Sequence, residues 1–150
     1  STKTADQTAN WKTYTNTTYN YSIRLPSAYP DNSETNIDQS SGELDLKMVT
    51  SSVWVAVWKN SGNLTTDEWL KKIGNTVGKN TYPAQKTTFN GYDALVSNRG
   101  QSTNWYFISH GNYIYEVEDN ETVGAAPTFK PTQQQIKDQK EILSSFKFTQ

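Results

Sequence analysis

Tyr21, Ile23 and Leu25 alternate with Ser22 and Arg24, the period-two pattern of a half-buried strand, and Pro26 then removes the next ladder donor. A short strand over residues 12–15 is expected to pair with it through a turn at 16–20. After the polar, turn-rich stretch 27–42, Leu44, Leu46 and Met48 alternate with Asp45 and Lys47 as a second half-buried strand. Ser51 and Ser52 supply the turn that follows. Residues 53–58, VWVAVW, are apolar on both alternating faces, so they predict a central strand covered from above and below, with helices on both sides of the sheet.

The first helix has a marked start. Thr65 and Glu68 form a capping box, Asp67 suits the positive helix end, and Trp69, Ile73 and Val77 recur at helical spacing, with Gly74 and Gly78 weakening its end. A strand over 84–89, the Asn90-Gly91 dipeptide of a type I′ turn and a return strand over 92–97 make the strongest hairpin signal. A second hairpin joins 105–109 to 113–118 through His110-Gly111-Asn112, with Tyr113, Tyr115 and Val117 on one face and Ile114, Glu116 and Glu118 on the other. Thr132 and Gln135 box the last helix, whose stripe is expected to run through Ile136, Leu143 and Phe146, and the closing Phe-Lys-Phe adds an edge strand.

Composition adds the compartment question more than the fold. At 150 residues the chain suits one domain that buries roughly 70% of its unfolded surface. Aromatic residues at 13% compensate for a hydrophobic share of only 33%, because each ring buries a large area. Lys and Arg total 14 against 15 Asp and Glu, so no summed field draws in nucleic acid or an anionic bilayer. The absence of Cys removes disulfides, thiolate chemistry and Cys-based zinc sites. Residues 1–10, STKTADQTAN, lack large apolar side chains and read as a flexible tether ahead of a single domain at 11–150. A first residue Ser1 suggests processing, and a signal peptide ending in an acylatable Cys is expected upstream.

The order of pieces is W-K-T-Y-T-N from Trp11, then Tyr19, Tyr21, Ile23 and the Leu25-Pro26 stop, then VWVAVW and T-T-D-E-W-L. Phe89-Asn90-Gly91-Tyr92-Asp93-Ala94, the aromatic hairpin at 104–118 and a final S-S-F-K-F complete it. This order resembles the PsbP-like domains of small bacterial envelope lipoproteins over roughly residues 11–149. The resemblance implies an α+β fold, an antiparallel sheet flanked by helices on both faces as a PsbP-like α/β/α sandwich. Plant members are extrinsic, non-enzymatic subunits on the oxygen-evolving side of a photosystem. Metal contacts in photosynthetic members rest on histidines, and this chain has only His110.

Candidate chemistry is sparse. His110 is the chain's one histidine, the residue type suited to general-base chemistry, yet it precedes Gly111-Asn112 and reads as a solvated turn residue. Glu116, Glu118, Asp119 and Glu121 offer oxygen ligands without EF-hand spacing, so a solvated strand end is expected over a calcium site. Trp54, Trp58 and Trp105 read as core before they read as a stacking platform for sugar rings. Acceptor patterns for glycosylation at Asn16, Asn20 and Asn63 are what a chain rich in Asn and Thr produces by chance. The expected role is a non-enzymatic, monomeric, extracytoplasmic domain without catalytic residues, metal or cofactor. Its partner is an unidentified envelope protein or polymer, and it meets the membrane only through a lipid anchor upstream of residue 1. A glycan or cell-wall binding module using surface aromatics, and a hydrolase whose carboxylates meet in space, are the alternatives.

Overall fold

A computed structural model describes residues 8–27, 34–35, 44–49, 53–76, 83–98, 104–119 and 132–150. Alternation along β2 (Tyr21–Leu25) turns Tyr21, Ile23 and Leu25 into the core. β1 (Lys12–Asn16) returns on it antiparallel, with Thr13 opposite Arg24. Their turn is tied by Asn16, whose Oδ1 accepts the Tyr19 N–H at 2.8 Å, and it ends on Asn20 in the left-handed region, φ 52°. The tail strand β10 (Lys147–Phe148) pairs with the other edge of β2, completing a three-stranded sheet in the order β1-β2-β10.

The remaining strands form one seven-stranded antiparallel sheet. Its members are β3 (Glu34–Thr35), β4 (Leu44–Val49), β5 (Val53–Lys59), β6 (Ala84–Phe89), β7 (Tyr92–Asn98), β8 (Asn104–His110) and β9 (Tyr113–Asp119), in the order β3-β4-β5-β9-β8-β7-β6. β6 to β9 are a meander whose β6-β7 and β8-β9 hairpins turn tightly. Asn90 and Gly91 take φ 49° and 85°, the two left-handed positions that a type I′ turn demands, and Gly111 takes φ 58° in the second hairpin. The register of β4 on β5 shifts between Leu44 and Leu46, which marks a bulge. Residues 51–52, expected to form a turn, lie outside the described residues.

β5 is apolar on both faces, as its sequence requires, and the two faces build two cores. Val53, Val55 and Val57 face Tyr21, Ile23, Tyr115 and Val117, while Ala56 and Trp58 face Trp69, Leu70, Phe107 and Ile114. The second core lies under α1 (Thr66–Thr76), which begins with the expected box: Glu68 carboxylate accepts the Thr65 N–H at 2.9 Å, and Thr65 Oγ1 accepts the Glu68 N–H at 3.3 Å. Donation from the Thr65 N–H, and then from the Thr65 hydroxyl at 2.8 Å, holds the Glu68 carboxyl below the usual carboxylate range. Of the expected α1 stripe, Trp69 is buried, and Val77 lies outside the described residues.

The first core is covered differently from expectation, and here the predicted fold class is corrected. An antiparallel sheet flanked by helices on both faces, the α/β/α sandwich, is not the architecture. The described residues are mostly β, arranged in two antiparallel sheets with two short helices of 11 and 13 residues. The Val53, Val55 and Val57 face carries the small β1-β2-β10 sheet with α2 (Gln133–Ser145) beside it. A two-sided apolar strand requires cover on both faces without dictating a helix, and the YSIRL strand supplies apolar cover every second residue.

α2 starts at the predicted box on Thr132 and Gln135, and of its expected stripe Phe146 is buried in the first core while Leu143 packs against it. Gln139 and Ile142 are its buried residues, whereas Ile136 and Leu143 are half-buried. Gln139 is tolerated inside because its amide donates to the buried Asp119 carboxylate on β9. At the helix end, Asn90 Nδ2 donates to the carbonyls of Leu143 (2.8 Å) and Phe146 (2.9 Å), so the β6-β7 turn caps α2 from outside.

Candidate functional site

Strand alternation on β9 divides the acidic residues. Glu116 and Glu118 lie on the α1 face of the sheet, Asp119 on the opposite face against Gln139, and Glu121 lies outside the described residues. Glu116 is 2% exposed, and its Oε2 accepts the Trp58 Nε1–H at 2.7 Å beneath Trp69 and Phe107. The solvated strand end expected here is therefore a buried one, with Glu116 bonded to an indole and walled from solvent. Among the described residues, no three His, Cys, Asp or Glu side chains gather as a metal site would need.

Trp58 is buried, its ring edge-on to Trp69 at 5.5 Å. Trp54 and Trp105 are half-buried and flank Glu118 in register across β5-β9-β8. His110 stands at the strand end just before the Gly111-Asn112 turn and is only partly open to solvent. It ends β8, half-buried, with its ring stacked on Phe148 at 3.9 Å and 4°, and its Nε2–H donates to the Gln150 main-chain oxygen at 2.7 Å. The ring clips the tail strand to the main sheet. Of the acceptor patterns, Asn16 is buried with Oδ1 in its turn bond, while Asn63 is exposed at φ 50°.

Tyr115 packs beside His110, Phe148 and Tyr113, and its hydroxyl donates to the Tyr19 carbonyl at 2.5 Å. Burial first, then the neighbouring Tyr113 and Tyr19 phenols, pushes Tyr115 up to about 12, and burial drives Tyr21 higher still. Both phenols keep their protons in the folded state to higher pH than in the unfolded chain, where tyrosines titrate near about 10. The stabilisation is therefore complete below about pH 10 and is lost as pH rises through the folded values. The urea midpoint should hold steady from pH 7 to 9 and fall steeply between pH 10 and 12, with a shallower fall in Tyr115→Phe. An unchanged midpoint through pH 12 would contradict the buried phenols.

A concave surface lies elsewhere, where the outer face of the small sheet meets α2. Alternation sends Ser22 and Arg24 outward from β2, and the short β10 pairs only with Tyr21 and Ser22. The Arg24 main-chain N–H would be left without a ladder partner, and Ser145 Oγ on α2 accepts it at 2.8 Å. That bond sets α2 as one wall of a groove of about 370 Å³, facing Trp11, Thr13 and Ser22, with Glu141 and Lys147 on its exposed rims. Arg24 Nη2 donates to the Thr8 carbonyl at 2.7 Å, and the Trp11 N–H donates to the same oxygen at 3.0 Å. Residues 1–7 of the expected tether lie outside the described residues, whereas Thr8 forms part of this wall. A second hollow, about 420 Å³, lies between Lys59, Asn63, Asn112 and Tyr113; its Asn60 amide is spent on both Leu64 main-chain groups.

The sequence reading missed Trp11, Ser22 and Arg24 as site residues. Their signal was a basic residue on the polar face of an amphipathic strand, which says nothing until its wall is known. Comparison with known proteins finds no family model that matches the chain and no curated protein similar to it.

Proposed function

We propose that the chain is a non-enzymatic domain working outside the cytoplasm, on a bacterial cell envelope, and that it holds an envelope partner in the groove between β2 and α2. The observation that carries this reading is Arg24. Its half-buried guanidinium spends one hydrogen bond on the Thr8 carbonyl and has no carboxylate partner among the described residues, so a positioned cation keeps donors for a ligand. The side chains with most capacity for chemistry are engaged elsewhere: Glu116 by Trp58, and His110 by Phe148 and Gln150. This favours binding over hydrolysis. The motif order resembling envelope lipoproteins supports the location.

The test has two arms. An antibody against the domain should find the natural gene product in the envelope fraction, open to protease added to cells whose outer layer has been breached. Recovery in the cytoplasmic fraction would overturn the location. Purified protein incubated with cell-wall material should release no soluble fragments over a day, whereas steady release lost in Glu116→Gln would restore the hydrolase.

A further inference from the structure

We infer that the groove binds an acidic saccharide, its carboxylate on Arg24 and a sugar ring against Trp11, an inference that rests on the binding role proposed above. Three observations converge on that ligand. Arg24 presents a planar fork, already aimed by Thr8 and by the Ser145 bond to its own main chain, and such a fork matches a carboxylate through two parallel hydrogen bonds. Lys147, exposed on the rim beside it, adds a second cation, against one rim carboxylate on Glu141.

The second observation is Ser22. It is 3% exposed and lines the groove, which places a hydroxyl on the surface between Arg24 and Lys147. A hydroxyl both donates and accepts, and so does the hydroxyl of a sugar. Thr13 and Ser144 add further hydroxyls along the same surface.

The third is Trp11, half-buried where the chain enters β1, which gives the groove an apolar ring among polar groups. Aromatic surface combined with a few fixed polar groups is the usual make-up of a small-ligand pocket, and about 370 Å³ falls in the usual range of roughly 300–1,000 Å³. A bare anion would need Arg24 and Lys147 and leave Trp11 and Ser22 without a role. A neutral sugar would leave the guanidinium unanswered.

The experiment titrates the purified protein by calorimetry with a trigalacturonate, the matched neutral trigalactoside and inorganic phosphate at constant ionic strength. The Trp11 indole signal, assigned through Trp11→Phe, is followed by NMR. The uronate should bind at least about tenfold more tightly than the neutral sugar and shift the Trp11 signal, and Arg24→Gln should weaken it about tenfold or more, as loss of a charge-assisted pair does. Lys147→Gln, at an exposed position that leaves the fold intact, should weaken binding about two- to threefold and flatten its salt dependence, so the inference stays testable if Arg24→Gln does not fold. Equal affinity for the neutral sugar, indifference to Arg24→Gln or Lys147→Gln, or phosphate binding as tightly as the uronate would each overturn it. No uronate binding at millimolar concentration would overturn the ligand class while leaving the fractionation result for the domain's location as it stands.

Discussion

Trp58→Ala is expected to lower stability by on the order of 3–5 kcal/mol, the usual cost of removing a large core aromatic. The indole is buried beneath α1, edge-on to Trp69, and it is also the donor to the Glu116 carboxylate. Truncation therefore opens a cavity and strands a carboxylate that is itself 2% exposed. Two companions separate these effects in urea melts. Trp58→Phe keeps most of the volume and removes the donor, so its loss measures the stranded carboxylate. Glu116→Leu removes the carboxylate, and in the Trp58→Phe background it should cost less than in the native chain, a positive coupling between contacting residues. Additive losses would mean that the two side chains do not depend on one another. A loss within about 1 kcal/mol for Trp58→Ala would sink the second core as described, since surface substitutions alone behave that way.

The elements that rest on local chemistry were readable from the chain. Both capping boxes need residues three apart, the Asn90-Gly91 turn needs two neighbours with φ above zero, and the YSIRL strand needs only alternation. What covers each face depends on partners distant in sequence, and there the reading failed. The Val53, Val55 and Val57 face announced that it needed cover, but a small sheet with α2 at its side meets that need as well as a helical layer does. Gln139 was not in the expected α2 stripe, because its reason for burial, Asp119, sits 20 positions away. His110 looked like a loop residue because its partners, Phe148 and Gln150, are about 40 positions on. The groove is the extreme case, since Ser145 stands 121 positions from the Arg24 N–H that it accepts. No window along the chain contains both.

Phe146→Ala should cost a comparable 3–5 kcal/mol or so, for a reason that joins the first core to the groove. Phe146 is the C-cap of α2, 1% exposed, stacked on Tyr21 at 5.7 Å and 23° and packed against Phe89 at 5.9 Å and Phe148 at 5.4 Å. It fastens the helix end to β2 and the β6-β7 turn at once, with Asn90 gripping its carbonyl. Ser145, the groove wall, is its immediate neighbour and holds Oγ toward the Arg24 N–H while donating to the Ile142 carbonyl at 2.6 Å. Loss of the ring should therefore loosen that wall before the rest of the sheet. In native-state hydrogen exchange, the Arg24 amide should speed up by more than the amides of β8 and β9, which are paired on both sides within the large sheet. Uronate binding should weaken in parallel, even though Phe146 does not line the groove. Uniform acceleration across all strands would instead mean that the helix end and the large sheet open as one unit, and that α2 does not set the groove independently.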